Sequence, residues 1–272
     1  MAVSGLNATI RPYGEGDKAA VYDVCVRTAN AGRGVAGRYS TDDLVPDVVA
    51  GPYLFLEPRH AYVLDNGERA VGYIIGTAST PGFVAAYRDR WLPRLRDRYQ
   101  PLPGPPATEE EQRLDVMFHP ERWLPPELAP HPAHLHINLL GGYRRRGHGR
   151  ELMSTFLASV AAAGAPSCYL SVRRENVAAR RFYERLGWRP IEVSDPGDGI
   201  YLVRPTSASG PGRHQMSSTP GADARLAARD ARCLAGQPPA IASPAGPAGR
   251  RAGHAAATRH RCHCAGGSLG CG

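Results

Sequence analysis

The chain has 272 residues, enough for one large domain or two small ones, and its apolar content suits a globular protein. No segment approaches the roughly 20 consecutive apolar residues that cross a bilayer, which argues against a membrane-spanning protein. The formal net charge is +8, but from Pro205 onward eight arginines face only two aspartates, so most of the charge lies in the C-terminal part.

The N-terminus and the cysteines indicate where the protein resides. Residues 1–7 lack the charged and then apolar layout of a secretory signal, so we expect a cytoplasmic protein. Cys25 and Cys168 lie within apolar periodic segments, and the other four cysteines lie near the C-terminus. This distribution does not predict a disulfide framework.

The first elements in chain order are a strand, a helix and a hairpin. Residues 9–12 read as a short strand, and Asp17 can cap a helix whose apolar positions recur at helical spacing. Residues 61–64 and 70–78 are apolar, β-prone runs joined by an Asp-Asn-Gly turn at 65–67. An Asn-Gly pair between such runs favours a β-hairpin.

An aromatic stripe and a proline-rich insertion follow. Five apolar side chains recur every four residues and form a helical stripe: Phe83, Tyr87, Trp91, Leu95 and Tyr99. We expect them to pack in the core and Pro93 to kink or interrupt the helix. Two proline-rich segments, 100–107 and 119–132, flank a short acidic helix predicted over 108–118. We expect residues 30–56 and 81–132 to form an acceptor site, although they match no motif that would indicate its specificity.

The second half of the domain alternates strands and helices. The predicted strands are 134–140, 168–172 and 200–203, and the predicted helices are 149–163 and 176–186, the second one stopped by Gly187. After Arg204 the hydrophobic periodicity disappears and Gly, Pro, Ala, Ser and Arg dominate. Such a composition cannot bury enough apolar surface to offset chain entropy, so we predict a disordered tail.

Residues 136–150 place a strand, a glycine-containing turn and a helix start in immediate succession. Glycines let the backbone approach a ligand closely, and the unpaired N–H groups of the helix start favour an anion such as a pyrophosphate. A tight turn with a basic, solvated rim would have the same sequence. A second segment, 176–188, follows the next strand directly and favours the ligand interpretation.

Together the two segments resemble the GNAT acetyltransferase superfamily. Arg144, Gly147 and Gly149 match its cofactor loop, which reads Arg or Gln, two residues, Gly, one residue, and Gly or Ala. The downstream signature of the family is matched by Asn176, Ala179, Tyr183, Gly187 and Trp188. More narrowly, the regions around Tyr53, Trp91, Tyr99 and 134–137 resemble the acetyltransferase-like domain of protein O-GlcNAcase and its stand-alone bacterial relatives.

The resemblance covers about residues 8–204 and implies an α/β (α+β) fold. This GNAT fold is a mixed central sheet of six to seven strands with a splayed parallel pair and helices on both faces. We therefore predict a GNAT domain over residues 1–205 and a disordered low-complexity tail over 206–272.

The resemblance also implies acetyl-coenzyme A as the co-substrate, with no metal. Backbone groups near Leu139 and Leu140 would hold the thioester and pantetheine, beside the motif positions Arg144 and Ala179. Asn176 would hold the pantetheine arm, and Tyr183 would face the sulfur. The amides of six residues would hold the pyrophosphate: Arg145, Arg146, Gly147, His148, Gly149 and Arg150.

The reaction implied is attack of an amine on the thioester, which requires a proton donor for the departing thiolate and a base for the amine. A phenol such as Tyr183 is protonated at neutral pH and can donate a proton. A backbone N–H near Leu139 could stabilise the oxyanion. The candidates for the base are His134 and His136, which alternate with apolar residues on one face of the predicted strand.

Asn138 continues the same face, at a position where the O-GlcNAcase-like subgroup has an aspartate. An amide is not a useful proton acceptor, so the base would be a histidine or water, or the activity would be weak. Asp115 and Glu121 of the insertion are further candidates for the base whose position the sequence does not give. The catalytic candidates are therefore Tyr183, His136, His134 and Asn138.

Three functional classes follow from these observations. The first is an N-acetyltransferase acting on a primary amine of a small molecule or protein, and the second is an inactive GNAT-fold module that binds coenzyme A. The third, nucleic-acid binding through the basic tail, is not expected, nor is a membrane partner. Cys262, His263, Cys264 and Cys271 do not have the spacing of a structural zinc site.

Overall fold

A seven-stranded mixed sheet organises the computed structural model, which describes residues 8–207. The strands lie in the order β1-β2-β3-β4-β5-β7-β6, and all neighbours are antiparallel except β4 and β5. Their bounds are β1 Thr9–Pro12, β2 Tyr62–Asp65, β3 Ala70–Thr77, β4 Ala133–Leu139, β5 Ser167–Arg173, β6 Arg189–Ile191 and β7 Gly199–Pro205.

The parallel pair β4 and β5 separates after a very short contact. Only Ala133 with Cys168 and His134 with Tyr169 are in register between them. Beyond these pairs, β4 continues to Leu139 alongside β3, while β5 continues to Arg173 alongside β7. The sheet therefore opens along the C-terminal halves of its two central strands, which confirms the predicted splay.

Helices cover both faces of the sheet, as predicted. One face carries α1 to α6 and the other carries α7 and α8, each over its own apolar core. The helices are α1 Lys18–Gly32, α2 Leu44–Val49, α3 Gly51–Leu56, α4 Thr80–Ala86, α5 Leu92–Leu95, α6 Glu109–Phe118, α7 His148–Ala162 and α8 Val177–Arg185, with a π-helical turn at Tyr87–Trp91.

The aromatic stripe is buried throughout, which confirms the predicted core role of Phe83, Tyr87, Trp91, Leu95 and Tyr99. The helix around it is interrupted as expected, because α4 passes into the π-helical turn and then into α5. Pro93 lies in the first turn of α5, where its missing N–H costs least.

Three elements had no sequence prediction. The helices α2 and α3 are only six residues long, and Pro46, Gly51 and Pro52 interrupt their periodicity. All six residues of α2 are buried, so packing stabilises this helix more than local propensity does. The edge strand β6 has three residues and contains Pro190, which an edge position tolerates.

The described packing continues one residue beyond Pro205, the end of β7. Thr206 is buried, and its Oγ1 donates to the carbonyl of Ala165 at 2.5 Å while its amide donates to the carbonyl of Pro166 at 3.1 Å. The rest of the predicted tail, including its Cys and His residues, lies outside the described residues apart from Ser207. Within residues 8–207 no helix is long and apolar enough to cross a membrane.

Candidate active site

A cleft of about 780 Å³ opens where β4 and β5 separate. Its walls are the end of β4, the turn before α7, the start of α7 and one face of α8. Nine of the predicted cofactor-binding residues line it: Leu139, Arg144, Arg145, Gly147, Gly149, Arg150, Asn176, Ala179 and Tyr183. Leu140, Arg146 and His148 lie in the same segment but are not among these lining residues.

The turn before α7 exposes backbone amides at the cleft. Arg145 and Gly147 have φ angles of 61° and 93°, and Gly147 is the N-cap of α7 without a side-chain cap. The amides of Arg150 and Glu151 already bond to the carbonyl of Gly147. Those of His148 and Gly149 precede any acceptor within the helix, so they can bind an anion at its positive end.

Two arginines of the motif support the turn itself. The Nε of Arg144 donates to the carbonyl of Leu139 at 2.8 Å, which fixes the end of β4. The Nε of Arg146 donates to the carbonyl of Gly142 at 2.9 Å. The side chain of Arg146 therefore stabilises the loop, whereas the sequence interpretation assigned its backbone amide to the pyrophosphate.

Positive charge is concentrated in the cleft. Arg144, Arg145, Arg150, Arg181 and Arg185 line it, and among the described lining residues there is no aspartate or glutamate. Arg181 and Arg185 are four residues apart on α8 and were not predicted as site residues. Their i, i+4 spacing next to Asn176 and Tyr183 is the signal that could have identified them.

Gly149 allows α7 and α8 to approach closely. A Cβ at this position would lie 3.2 Å from the ring of Phe182, which is tighter than an ordinary contact. A side chain at the second glycine of the motif would therefore require the Phe182 ring to shift by a few tenths of an ångström.

Asn176, at the start of α8, and Tyr183, in its second half, both line the cleft. Asn176 is the N-cap, and its Oδ1 accepts from the amide of Ala179 at 3.1 Å. Tyr183 is 2% exposed and its ring packs against those of Phe182 and Trp188, so it is also a core residue. Because Tyr183 also lines the cleft, it can serve both as a packing residue and as a proton donor.

The histidine face of β4 points away from this cleft. Ile137 and Leu139 line the cleft, and alternation along the strand turns His134, His136 and Asn138 toward the face covered by α1 to α6. The predicted alternation is therefore confirmed. It places the cofactor candidates and the base candidates on opposite faces of the opened sheet.

His134 is fully engaged in the interior. It is 4% exposed, its Nε2 lies 2.6 Å from the hydroxyl of Tyr53, and its Nδ1 lies 2.7 Å from Oγ1 of Thr80. Burial lowers its pKa well below the usual value, with His136 contributing. His134 is thus a neutral residue with both ring nitrogens in hydrogen bonds.

His136 is more accessible than His134. Its Nε2 lies 3.1 Å from the same Tyr53 hydroxyl, and its exposure is intermediate. Burial of the ring lowers its pKa to about 4, so the imidazole is neutral through the physiological pH range and carries one lone pair.

Asn138 and the two acidic alternatives have partners within the fold. Nδ2 of Asn138 donates to the hydroxyl of Tyr73 at 2.7 Å. Asp115 forms ion pairs with His119 at 3.0 Å and Arg122 at 2.6 Å, whereas Glu121 forms one with Arg88 at 2.5 Å. Asp115 and Glu121 therefore stabilise the insertion. In the part of the chain that is described, no three His, Cys, Asp or Glu residues group into a metal site.

Comparison with known proteins places this arrangement among characterised folds. Protein O-GlcNAcase of Rattus norvegicus and that of Mus musculus are each 28% identical to the chain over 200 residues, which is 72% of this chain and 22% of each relative. The chain thus spans about a fifth of the length of these curated relatives. The crystal structure of SsHAT is 46% identical with a TM-score of 0.71, covering 74% of this chain and 99% of that chain.

The same comparisons confirm the resemblance inferred from the two sequence segments, including the likeness to the O-GlcNAcase acetyltransferase-like domain. The profile of the acetyltransferase (GNAT) family matches residues 37–188, which contain β2 to β5, the turn before α7 and α8. Because this match extends over more than half of the chain, the chain belongs to the acetyltransferase (GNAT) family.

Proposed function

We propose that the protein transfers the acetyl group of acetyl-coenzyme A to a primary amine of a small molecule or protein. The observation that carries this proposal is the arginine-lined cleft that runs from the uncapped start of α7 to the opening between β4 and β5. Family membership supports an acyltransferase, and the cleft supports this particular donor.

The residues of the cleft fit coenzyme A by charge and by shape. Its pyrophosphate would lie at the amides of 148 and 149, where the helix dipole and the surrounding guanidinium groups favour negative charge. The pantetheine arm would follow the apolar side of the cleft, along Ile137, Leu139 and Ala179. The bound thioester supplies an acetyl group activated for attack by an amine.

Tyr183 would donate a proton to the departing thiolate. It lies inside the cleft on α8, and packing against Trp188 fixes its ring. A phenol held in this way is pre-positioned at the sulfur end of the cleft and remains protonated at neutral pH.

The amine would approach from the opposite face of the sheet. There α1, α3 and α4 cover the histidine face of β4, and His136 offers a neutral imidazole. His134 is unsuitable as the direct base because both of its nitrogens are engaged. Acceptor and donor would therefore meet through the gap between β4 and β5, with His136 taking the proton that the amine loses.

Calorimetric titration of acetyl-coenzyme A into the full chain tests the donor site, with Gly147→Glu as the disrupting variant and Gly164→Glu as its matched control. Both glycines have positive φ, 93° and 90°, and they flank opposite ends of α7. Backbone strain is therefore similar, but only Gly147→Glu places a carboxylate at the cleft.

We expect binding by the wild type and by Gly164→Glu, and none by Gly147→Glu. Equal binding by the two variants would remove the proposed donor site. Binding without turnover across a panel of small amines and lysine peptides would favour the inactive module instead. A cytoplasmic location remains part of the proposal.

A further inference from the structure

The residues of α8 that line the cleft form two stripes along the helix. The inner stripe contains the residues already assigned to the pantetheine arm and the sulfur: Asn176, Ala179 and Tyr183. The outer stripe recurs at i, i+3, i+4 and i+7 and consists of Ala178, Arg181, Phe182 and Arg185. An α-helix advances about 100° per residue, so the two stripes contact different parts of the cleft.

The outer stripe lies beside the start of α7. A Cβ on Gly149 would come within 3.2 Å of the Phe182 ring, so α7 and α8 are in contact at this point. The amides of His148 and Gly149 are the groups proposed to hold the pyrophosphate. Because Arg181 and Arg185 share their stripe with Phe182, they line the cleft next to that position.

Arg181 and Arg185 are exposed, and within residues 8–207 neither forms an ion pair or a side-chain hydrogen bond. They are four residues apart on one helix, where like charges repel each other and destabilise the helix. The described fold therefore gains nothing from having both cations on this face. An anion that binds both guanidinium groups would remove the repulsion.

The positive charge of the cleft exceeds the charge of a pyrophosphate. Five arginines line it, and the described lining residues include no aspartate or glutamate. The pyrophosphate of coenzyme A carries one negative charge on each phosphorus. The ribose of coenzyme A also carries a phosphate monoester on its 3′ oxygen, which adds about 1.5 to 2 negative charges at neutral pH. This monoester belongs to the ribose whose 5′ oxygen bears the pyrophosphate, so it must lie near the start of α7.

We propose that Arg181 and Arg185 bind the 3′-phosphate of coenzyme A and make the cleft selective for the 3′-phosphorylated cofactor over its dephospho form. The assignment rests on the proposed function. A guanidinium group stays charged and can donate two parallel hydrogen bonds to phosphate oxygens, so a pair of them suits a dianion. Neither arginine is at a position of the family signature, so this selectivity is a property of the α8 sequence of this chain.

Calorimetric titration of coenzyme A and of dephospho-coenzyme A into the full chain tests the assignment. We expect the wild type to bind coenzyme A at least about tenfold more tightly, as the loss of charge-assisted hydrogen bonds implies. In the double variant Arg181→Gln/Arg185→Gln the two affinities should become nearly equal. Comparing the ratios isolates the interaction with the 3′-phosphate from the general loss of positive charge.

Arg180→Gln is the matched control. It removes the same charge from the same helix, but Arg180 is not among the lining residues, and its Nη1 donates to the carbonyl of Arg174 at 3.4 Å. Its ratio of affinities should equal that of the wild type. Because Arg181 and Arg185 are exposed, the double variant should also unfold at the wild-type temperature.

A pair of isomeric nucleotides tests the position of the phosphate. Adenosine 3′,5′-bisphosphate and adenosine 2′,5′-bisphosphate carry the same charge, so long-range electrostatics treats them alike. We expect the 3′,5′ isomer to displace coenzyme A from the wild type at the lower concentration, and the double variant to respond equally to both. Equal displacement from the wild type would overturn the inference.

The outcomes separate this inference from the proposed function. Equal affinity of the wild type for coenzyme A and dephospho-coenzyme A would overturn the inference and leave the donor site in place. A double variant that keeps the wild-type ratio would also overturn it, because the 3′-phosphate would then bind elsewhere in the cleft. Binding without turnover would refute the proposed transfer, and the ratio of affinities would still decide the role of the two arginines.

Discussion

Tyr183 is a core residue to which the proposed function also assigns the role of proton donor. Its ring packs against Trp188 and its flank lines the cleft. Both functions use the same position on α8, so only a variant that keeps the ring and lacks the hydroxyl distinguishes them. The packing function requires an aromatic ring, whereas the proton-donor function requires the phenolic oxygen.

We therefore expect Tyr183→Phe to lower kcat about a hundredfold while leaving the affinity for acetyl-coenzyme A nearly unchanged, because only the proton donor is removed. Steady-state kinetics combined with calorimetry measures both quantities. Tyr201→Phe on β7, outside the cleft lining, should behave as the wild type. A wild-type kcat for Tyr183→Phe would mean that solvent protonates the thiolate.

Asn176 and Asn138 illustrate what single residues disclose in the sequence. The cap that Asn176 forms at the start of α8 is a local motif, so the sequence alone can indicate it. For Asn138 the sequence showed only that an asparagine stands where the resemblance leads us to expect an aspartate. Its bond to Tyr73 of β3 depends on strand register and could not be inferred from the residue itself.

At the scale of elements, Asp47 links the short helix α2 to its neighbours. Its carboxylate is completely buried and accepts from the hydroxyls of Tyr22 at 2.7 Å and Tyr99 at 2.9 Å. Arg98 forms an ion pair with this carboxylate at 2.8 Å. The backbone carbonyl of Asp47 accepts from Nε1 of Trp91 at 3.0 Å. The cluster ties α1 and α2 to the aromatic stripe.

We expect Asp47→Ala to lower the free energy of unfolding by about 3 kcal/mol, because two buried hydroxyls lose their acceptor. Asp43→Ala is the control: Asp43 pairs with the same Arg98 at 3.5 Å but is exposed, so its loss should cost about 0.5 kcal/mol. Urea unfolding measures both values. Equal losses in the two variants would show that Asp47 does not hold these elements together.

The difference in the free energy of unfolding between the wild type and Asp47→Ala should depend on pH. Burial raises the pKa of Asp47 in the folded chain above its unfolded value, so the folded state binds the proton more tightly. The stability that Asp47 contributes is then greatest below the unfolded pKa and declines as pH rises through the folded pKa. The gap between the wild type and Asp47→Ala should therefore be larger in acid than at neutral pH.

At the scale of the whole molecule, the domain and the basic C-terminal part can be separated experimentally. We expect residues 1–207 to unfold at the same temperature as the full chain and to bind acetyl-coenzyme A equally well, since β7 and Thr206 complete the contacts of the domain. Calorimetry measures both properties. A loss of stability or of binding would show that the removed segment belongs to the domain.

The same pair of proteins tests nucleic-acid binding. Residues 208–272 carry all eight of the C-terminal arginines, so any affinity of the full chain for DNA should weaken with salt and vanish on truncation. DNA binding retained by residues 1–207 would instead assign it to the arginines of the cleft.

The sequence by itself determined the hairpin, the alternation along β4, and the two segments that identify the family. These features depend on local spacing: a glycine at positive φ, an N-cap, or apolar residues with a period of two or four. Local backbone chemistry acts on the same few residues in any fold, which is why 144–149 and 176–188 were informative.

Only the tertiary structure decided how distant residues meet. Tyr53 and His134 are 81 positions apart, and short helices that packing stabilises bring them within 2.6 Å. The facing of Arg181 and Arg185 toward the cleft depends likewise on where α8 packs. Such contacts arise from burial of apolar surface across the whole domain, a non-directional force that leaves no signature at any one position in the chain.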